Sequence, residues 1–129
     1  TFVQSQKAEA ISRLERMYKN LDTGMTRNKY LNMCEQLGKE PNDDEIPPDW
    51  EDFPEVMQHS INTFNQLGDR VYPEIGFVGK DYTNLNHYLD VYDVNDKEFF
   101  LEIISWLDSR AIKKSSEDLK RQYDKLKRK

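Results

Sequence analysis

The chain has 129 residues, the length of one domain, and with 33% charged residues and a net charge of −5 its core must come from a few well-placed side chains. Aromatic residues, 12% of the total, supply that bulk and argue against a disordered chain. The single cysteine, Cys34, excludes an internal disulfide framework and a multi-cysteine zinc site, and no apolar run has the length of a membrane span. A reducing, cytoplasmic setting is expected, with no signal peptide at the start. Because the chain opens on Thr1, it reads as a processed or excised piece, and Met25 in "TGM" is a candidate internal start.

Residues 4–21 predict an amphipathic helix, with Ala8, Ile11, Leu14, Tyr18 and Leu21 at three- and four-residue steps. Gly24 interrupts, and Thr26 then suits the N-cap of a second helix carrying Tyr30, Leu31, Cys34 and Leu37, closed by Gly38. In the stretch "DDEIPPDWEDFP", six carboxylates surround Trp50 and Phe53; Pro41, Pro47 and Pro48 forbid helix, and a third helix then starts at Phe53 or Pro54, where proline suits the first turn. Val56, Met57, Ile61, Phe64 and Leu67 give that helix its apolar stripe. "GDRVYPEIGFVG" follows, where a proline and three glycines predict irregular backbone. Asp81 suits the N-cap of a short helix with Tyr82, Leu85, Tyr88, Leu89 and Tyr92. Asn95, with Glu98 three residues on, suits the cap of a last helix striped by Phe99, Phe100, Ile103, Ile104, Leu107, Ala111 and Ile112. Leu119, Tyr123 and Leu126 continue the stripe, and Ser115–Ser116 is a possible break. No convincing β alternation is present; "IGFV" and "YLDVYDV" are the short candidates.

The expected fold is therefore all-α: about five helices, a long C-terminal helix and an N-terminal helical arm. The arm is residues 1–24, ahead of a single helical domain at 25–129. Both terminal helices carry narrow stripes of the kind partner helices use, so each either meets another subunit or folds back on its own domain.

Charge is unevenly placed. From Lys39 to Gln58 there are eight acids and one base, and from Arg110 to Lys129 nine bases and three acids. That asymmetry suits charge-complementary contact within a molecule or between copies, or a basic tail that meets phosphate; two solvated faces are the plain alternative. The acidic stretch lacks the glycine and the spacing of a calcium loop, and His59 and His87 lie far apart. Cys34 falls on the apolar side of its helix, where a free cysteine acts as a small hydrophobe. "GFVGKDYT" has two residues between its glycines and Asp81 after the lysine, which departs from a phosphate-binding loop. No catalytic residue, metal ligand or cofactor is expected.

With these motifs placed, "PPDWEDFPEVMQHSINTFNQL", a glycine-broken linker and "GKDYTNL" ahead of a short helix resemble the small tail assembly chaperones of tailed phages. The resemblance covers roughly residues 46–92, through Trp50, Pro54, Phe64, Gly79, Asp81, Tyr82 and Leu85. Here the proline follows Phe53 rather than a tryptophan, and the basic last helix has no counterpart. The resemblance implies a non-enzymatic phage assembly factor acting in the host cytoplasm. Its protein partner would be a tape-measure or tail-tube protein, with homo-oligomers and no membrane. Trp50, Phe53, Tyr82, Ile11, Tyr18 and Tyr123 are the candidate partner-binding residues. The alternative is a nucleic-acid-associated packaging or regulatory protein using the basic C-terminal helix.

Overall fold

The structure, a computed structural model, describes residues 2–128 and is essentially all-α. Thr1 and Lys129, the outer ends of the two expected segments, lie outside the described residues. Five helices occupy Gln4–Thr23 (α1), Arg27–Leu37 (α2), Glu55–Gln66 (α3), Leu85–Val91 (α4) and Lys97–Lys127 (α5). Two short strands, Asp69–Tyr72 (β1) and Gly76–Lys80 (β2), form an antiparallel hairpin between α3 and α4. The chain gathers into two compact units, one spanning Phe2–Glu55 and the other running onward from Val56.

In the first unit the predicted stops operate as expected. Gly24 and Gly38 adopt left-handed backbone at φ 73° and 65°, where glycine carries no steric penalty, and close α1 and α2. Thr26 caps α2 by accepting the N–H of Lys29 at 3.2 Å. The buried face of α1 is turned by about one position from the expected stripe. Lys7, Ala10 and Leu14 are buried, Ile11 and Tyr18 are half-buried at its margin, and Ala8 and Leu21 are exposed. Apolar residues at 8 and 21 fit a period of three or four, but a charged residue's aliphatic stem at Lys7 fits it equally well. On α2, Tyr30 and Cys34 are buried, as the stripe requires.

The acidic stretch ends in a short 3-10 turn, Trp50–Asp52, with Phe53 as its closing residue, so α3 begins at Glu55 rather than at Phe53 or Pro54. Asp52 reaches back to the N–H of Asp49 at 2.9 Å, satisfying a donor that the turn itself leaves open.

The core of the second unit is carried by Met57, Ile61 and Phe64 of α3, Leu67, Val94, and Phe99, Phe100, Ile103, Ile104 and Leu107 of α5, all buried. Irregular backbone expected at 68–79 is replaced by the hairpin. Its four β1 residues are all exposed, so no alternation of apolar and polar residues exists to be read. Asp69 pairs with Lys80, Val71 with Phe77 and Tyr72 with Gly76. Between the first two pairs β1 therefore advances two residues and β2 three, a bulge that takes in Gly79 at φ 121°.

Two caps sit one to three residues beyond their expected places. Asn84, not Asp81, precedes α4, while Asp81 folds a local turn by accepting the N–H and the hydroxyl of Thr83 at 2.9 and 2.5 Å. Asp96, not Asn95, caps α5 by accepting the N–H of Phe99 at 3.1 Å. α5 then runs through Ser115 and Ser116 without a break for 31 residues. His59 of α3 stacks on Tyr92 at 4.2 Å between ring centroids, fixing the chain beyond α4.

Candidate protein-binding groove

Asp108 joins α5 to the hairpin. It is buried, and its carboxylate accepts the backbone N–H of Lys80 at 3.1 Å and the hydroxyl of Tyr82. Gly79 makes this approach possible, because a Cβ there would lie 3.2 Å from the carboxylate oxygen. Burial first, and the Asp108 carboxylate second, raise the Tyr82 phenol above its ordinary value. The Lys80 amine is also enclosed. It donates to the carbonyl of Leu67 at 3.1 Å, pairs with Asp69 at 2.6 Å and lies 4.7 Å from the centre of the Phe64 ring. A buried ammonium with a carboxylate, a carbonyl and an aromatic face has the partners that offset its desolvation.

This arrangement holds the hairpin beside the second half of α5 and leaves an open groove of about 510 Å³ between them. Val71 and Phe77 of the hairpin and Ala111 and Leu119 of α5 give it apolar walls, Lys80 lies at its base, and Arg110, Lys114, Asp69 and Asp118 supply charge. Tyr123 closes one end by donating to the carbonyl of Glu74 at 3.5 Å. Every buried residue of α5 lies between Phe99 and Asp108. The remaining nineteen residues, 109–127, rise roughly 28 Å at 1.5 Å each and bury nothing completely. Around them Val71, Tyr72, Ile75, Ile112, Tyr123 and Leu126 are exposed. A cluster of exposed apolar side chains rimmed by charge is the usual form of a protein-contact surface.

The acidic stretch of the first unit is tied down by arginines. Arg27 donates to the carbonyl of Pro47 at 3.2 Å and to Asp52 at 2.7 Å, and stands 3.3 Å from Asp49. Arg16 donates to the carbonyl of Asp44 at 2.5 Å. The Tyr30 hydroxyl donates to Glu45 at 2.9 Å and accepts the N–H of Asn42 at 3.1 Å. The N–H of Asp49 foremost, with the Arg27 guanidinium beside it, holds the Asp52 carboxyl below its ordinary range. Among the described residues no group of three or more His, Cys, Asp or Glu is placed to hold a metal ion.

The six sequence-predicted contact residues are spread over the chain. Trp50 is 37% exposed, while Phe53, three residues on, is buried. Ile11 and Tyr18 lie along α1 and are half-buried, so the first unit holds four of the six. Tyr82 shows part of its ring to solvent but commits its hydroxyl to Asp108, and Tyr123 stands at the end of the groove. Sequence reasoning did not reach Asp108 or Val71, and it met Lys80 and Phe77 only within "GFVGKDYT" and "IGFV", without their place in the groove. The "GKDY" run was singled out, but its partner on α5 is 28 residues away and carries no local signal.

No family model, no curated protein and no solved structure matches this chain. Among the described residues no helix is long and apolar enough to cross a membrane.

Proposed function

We propose that this chain is a non-enzymatic assembly factor that works by protein–protein contact through the groove between the hairpin and α5. The observation that carries the reading is the nineteen-residue stretch of α5 that buries nothing completely beside a hairpin that exposes Val71, Tyr72 and Ile75. A helix of that length costs ordering without core burial in return, and its narrow stripe suits a helical or extended client. The resemblance of residues 46–92 to tail assembly chaperones supplies the setting: virion assembly in the host cytoplasm, with a tape-measure or tail-tube protein as client. Co-expression with such a client tests it. The pair is expected to co-purify, and Leu119→Asp together with Val71→Asp is expected to release the client while far-UV circular dichroism stays unchanged. A client retained by that double variant overturns the reading.

A second reading, contact with nucleic acid in packaging or regulation, is favoured by Lys113, Lys120, Lys125 and Lys127 of α5, which make no ion pair among the described residues. Titration with duplex DNA tests it; absence of binding at low salt removes it.

A further inference from the structure

We propose that the margin of the groove along α5 takes an acidic amphipathic helix of another protein; the inference rests on the groove being a protein-binding surface. Beyond Asp108, the residues Ile112, Ser116, Leu119, Tyr123 and Leu126 follow one another at steps of four, three, four and three. That is the a/d spacing at which one helix seats another, with Ser116 its one polar member. Leu119 is half-buried and the other four are exposed. The line runs beside the hairpin: Leu119 and Val71 share the groove, and the Tyr123 hydroxyl donates to the Glu74 carbonyl at 3.5 Å. It rises roughly 21 Å at 1.5 Å per residue, about two heptads.

Charge selects the occupant. Lys113, Lys120 and Lys127 directly follow Ile112, Leu119 and Leu126, so every e position of this stretch is lysine. They border the apolar line on its outer side, across it from Ala111, Ser115, Asp118 and Gln122, which line the groove. Glu117 and Asp124 stand four residues after Lys113 and Lys120, yet neither lysine makes an ion pair among the described residues. Base before acid is the weaker order for such a pair. An e row faces the g row of a parallel neighbour and the e row of an antiparallel one, so in either orientation the occupant needs carboxylates along its facing flank. A second copy of α5 has none there: it offers Ser115 and Gln122 in parallel and the same lysines in antiparallel. α3 and α4 hold one carboxylate each, and α1 and α2 carry more bases than acids. The lysine row therefore opposes self-pairing and favours a different, acidic chain.

A synthetic peptide of about three heptads tests this on the full chain, with leucine at a and d and glutamate at e and g, whose like charges keep it from pairing with itself. Anisotropy of the labelled peptide is expected to show binding that weakens as salt is added. A scrambled peptide of the same composition, and one with lysine in place of glutamate, are expected not to bind. Lys113→Glu, Lys120→Glu and Lys127→Glu together are expected to weaken the glutamate peptide roughly tenfold or more and to admit the lysine one, with unchanged circular dichroism. Leu119→Asp with Leu126→Asp is expected to abolish binding of the glutamate peptide. No binding of that peptide to the unaltered chain overturns the proposal, as does equal binding of the scrambled one, or a triple variant that keeps the original preference. Binding lost in the triple variant but untouched by Leu119→Asp with Leu126→Asp is charge attraction alone; it overturns the helical occupant and favours nucleic acid. If the glutamate peptide fails while Leu119→Asp with Val71→Asp still releases the co-expressed client, the acidic helix falls and the groove reading stands. A client retained by that last variant removes the groove reading itself.

Discussion

The Asp108 carboxylate accepts the backbone N–H of Lys80 at 3.1 Å, across 28 residues of sequence, and so fastens β2 to α5. The same carboxylate takes the Tyr82 hydroxyl, which makes it the shared acceptor for both ends of "KDY". Asp108→Ala leaves the buried N–H of Lys80 without its acceptor. A loss of about 2–3 kcal/mol is expected, read as a lower urea midpoint at unchanged slope. Asp108→Asn keeps one acceptor oxygen and is expected to lose less. Equal losses for the two variants would falsify the role given to the carboxylate.

Gly68 precedes the hairpin and Gly79 lies within its second strand, and alanine is expected to act oppositely at the two. At Gly79 the backbone has φ 121° and a Cβ would meet Asp108 at 3.2 Å, so Gly79→Ala is expected to destabilise by more than about 1 kcal/mol. At Gly68 a Cβ meets nothing within 4 Å, and Gly68→Ala is expected to be neutral or stabilising by about 0.5 kcal/mol. Thermal midpoints of the two variants decide it.

Alkaline pH is expected to weaken the fold through Tyr82. Its phenol is raised above the ordinary 10.0 by burial and by Asp108, so the unfolded chain gives up this proton at lower pH than the folded one. The contribution is intact below about pH 10 and is lost as pH climbs toward the folded value. Urea midpoints measured from neutral pH upward are expected to fall past that point, and Tyr82→Phe is expected to flatten the fall. An identical alkaline limb in Tyr82→Phe counts against the assignment.

Thr63 is fully buried on α3, and its hydroxyl has no hydrogen-bond partner. Burying a hydroxyl without a partner costs about 1–3 kcal/mol. Thr63→Val replaces it with a methyl group of similar shape and is expected to raise the urea midpoint by an amount equivalent to about 1 kcal/mol. A lower midpoint would mean that the hydroxyl is bonded in solution.

The cap of α5 separates two adjacent residues. Asp96→Ala is expected to cost about 1 kcal/mol because it removes the acceptor for the Phe99 N–H, whereas Asn95→Ala is expected to cost a few tenths. Chemical unfolding of the pair distinguishes them, and the reverse order would return the cap to Asn95.

Local chemistry explains which features the sequence discloses. Thr26, Gly24 and Gly38 act on backbone within four residues of themselves, and the stripe of Phe99–Leu107 repeats with the helical period, so these elements are legible. The capping rule placed the start of α5 within one residue, since Asn95 and Asp96 offer the same oxygen to the same turn. Of the hairpin, the sequence offered "IGFV" as a short strand candidate, and Gly76–Lys80 takes in its last three residues. The pairing was missed because the first strand is wholly exposed, and what pins the second is Asp108, whose partners no window of neighbours includes. Both walls of the groove depend on that one tether, so the groove is equally silent in the sequence. For the acidic stretch, prolines and cap-forming carboxylates were readable as a non-helical lead into α3. That Arg16 and Arg27 grip it could not be read, because either could have paired within its own helix.

The division of α5 at Asp108 also has a kinetic side. Its first turns are locked by buried phenylalanines and isoleucines, so their amide hydrogens exchange only when the surrounding core opens. Its last five turns have no fully buried anchor, so their amides are expected to exchange sooner. A ligand seated along those turns leaves a recognisable trace, slowed exchange confined to 110–127 with the rest of the chain unmoved. The helix is thus its own reporter, half of it timed by folding and half by contact.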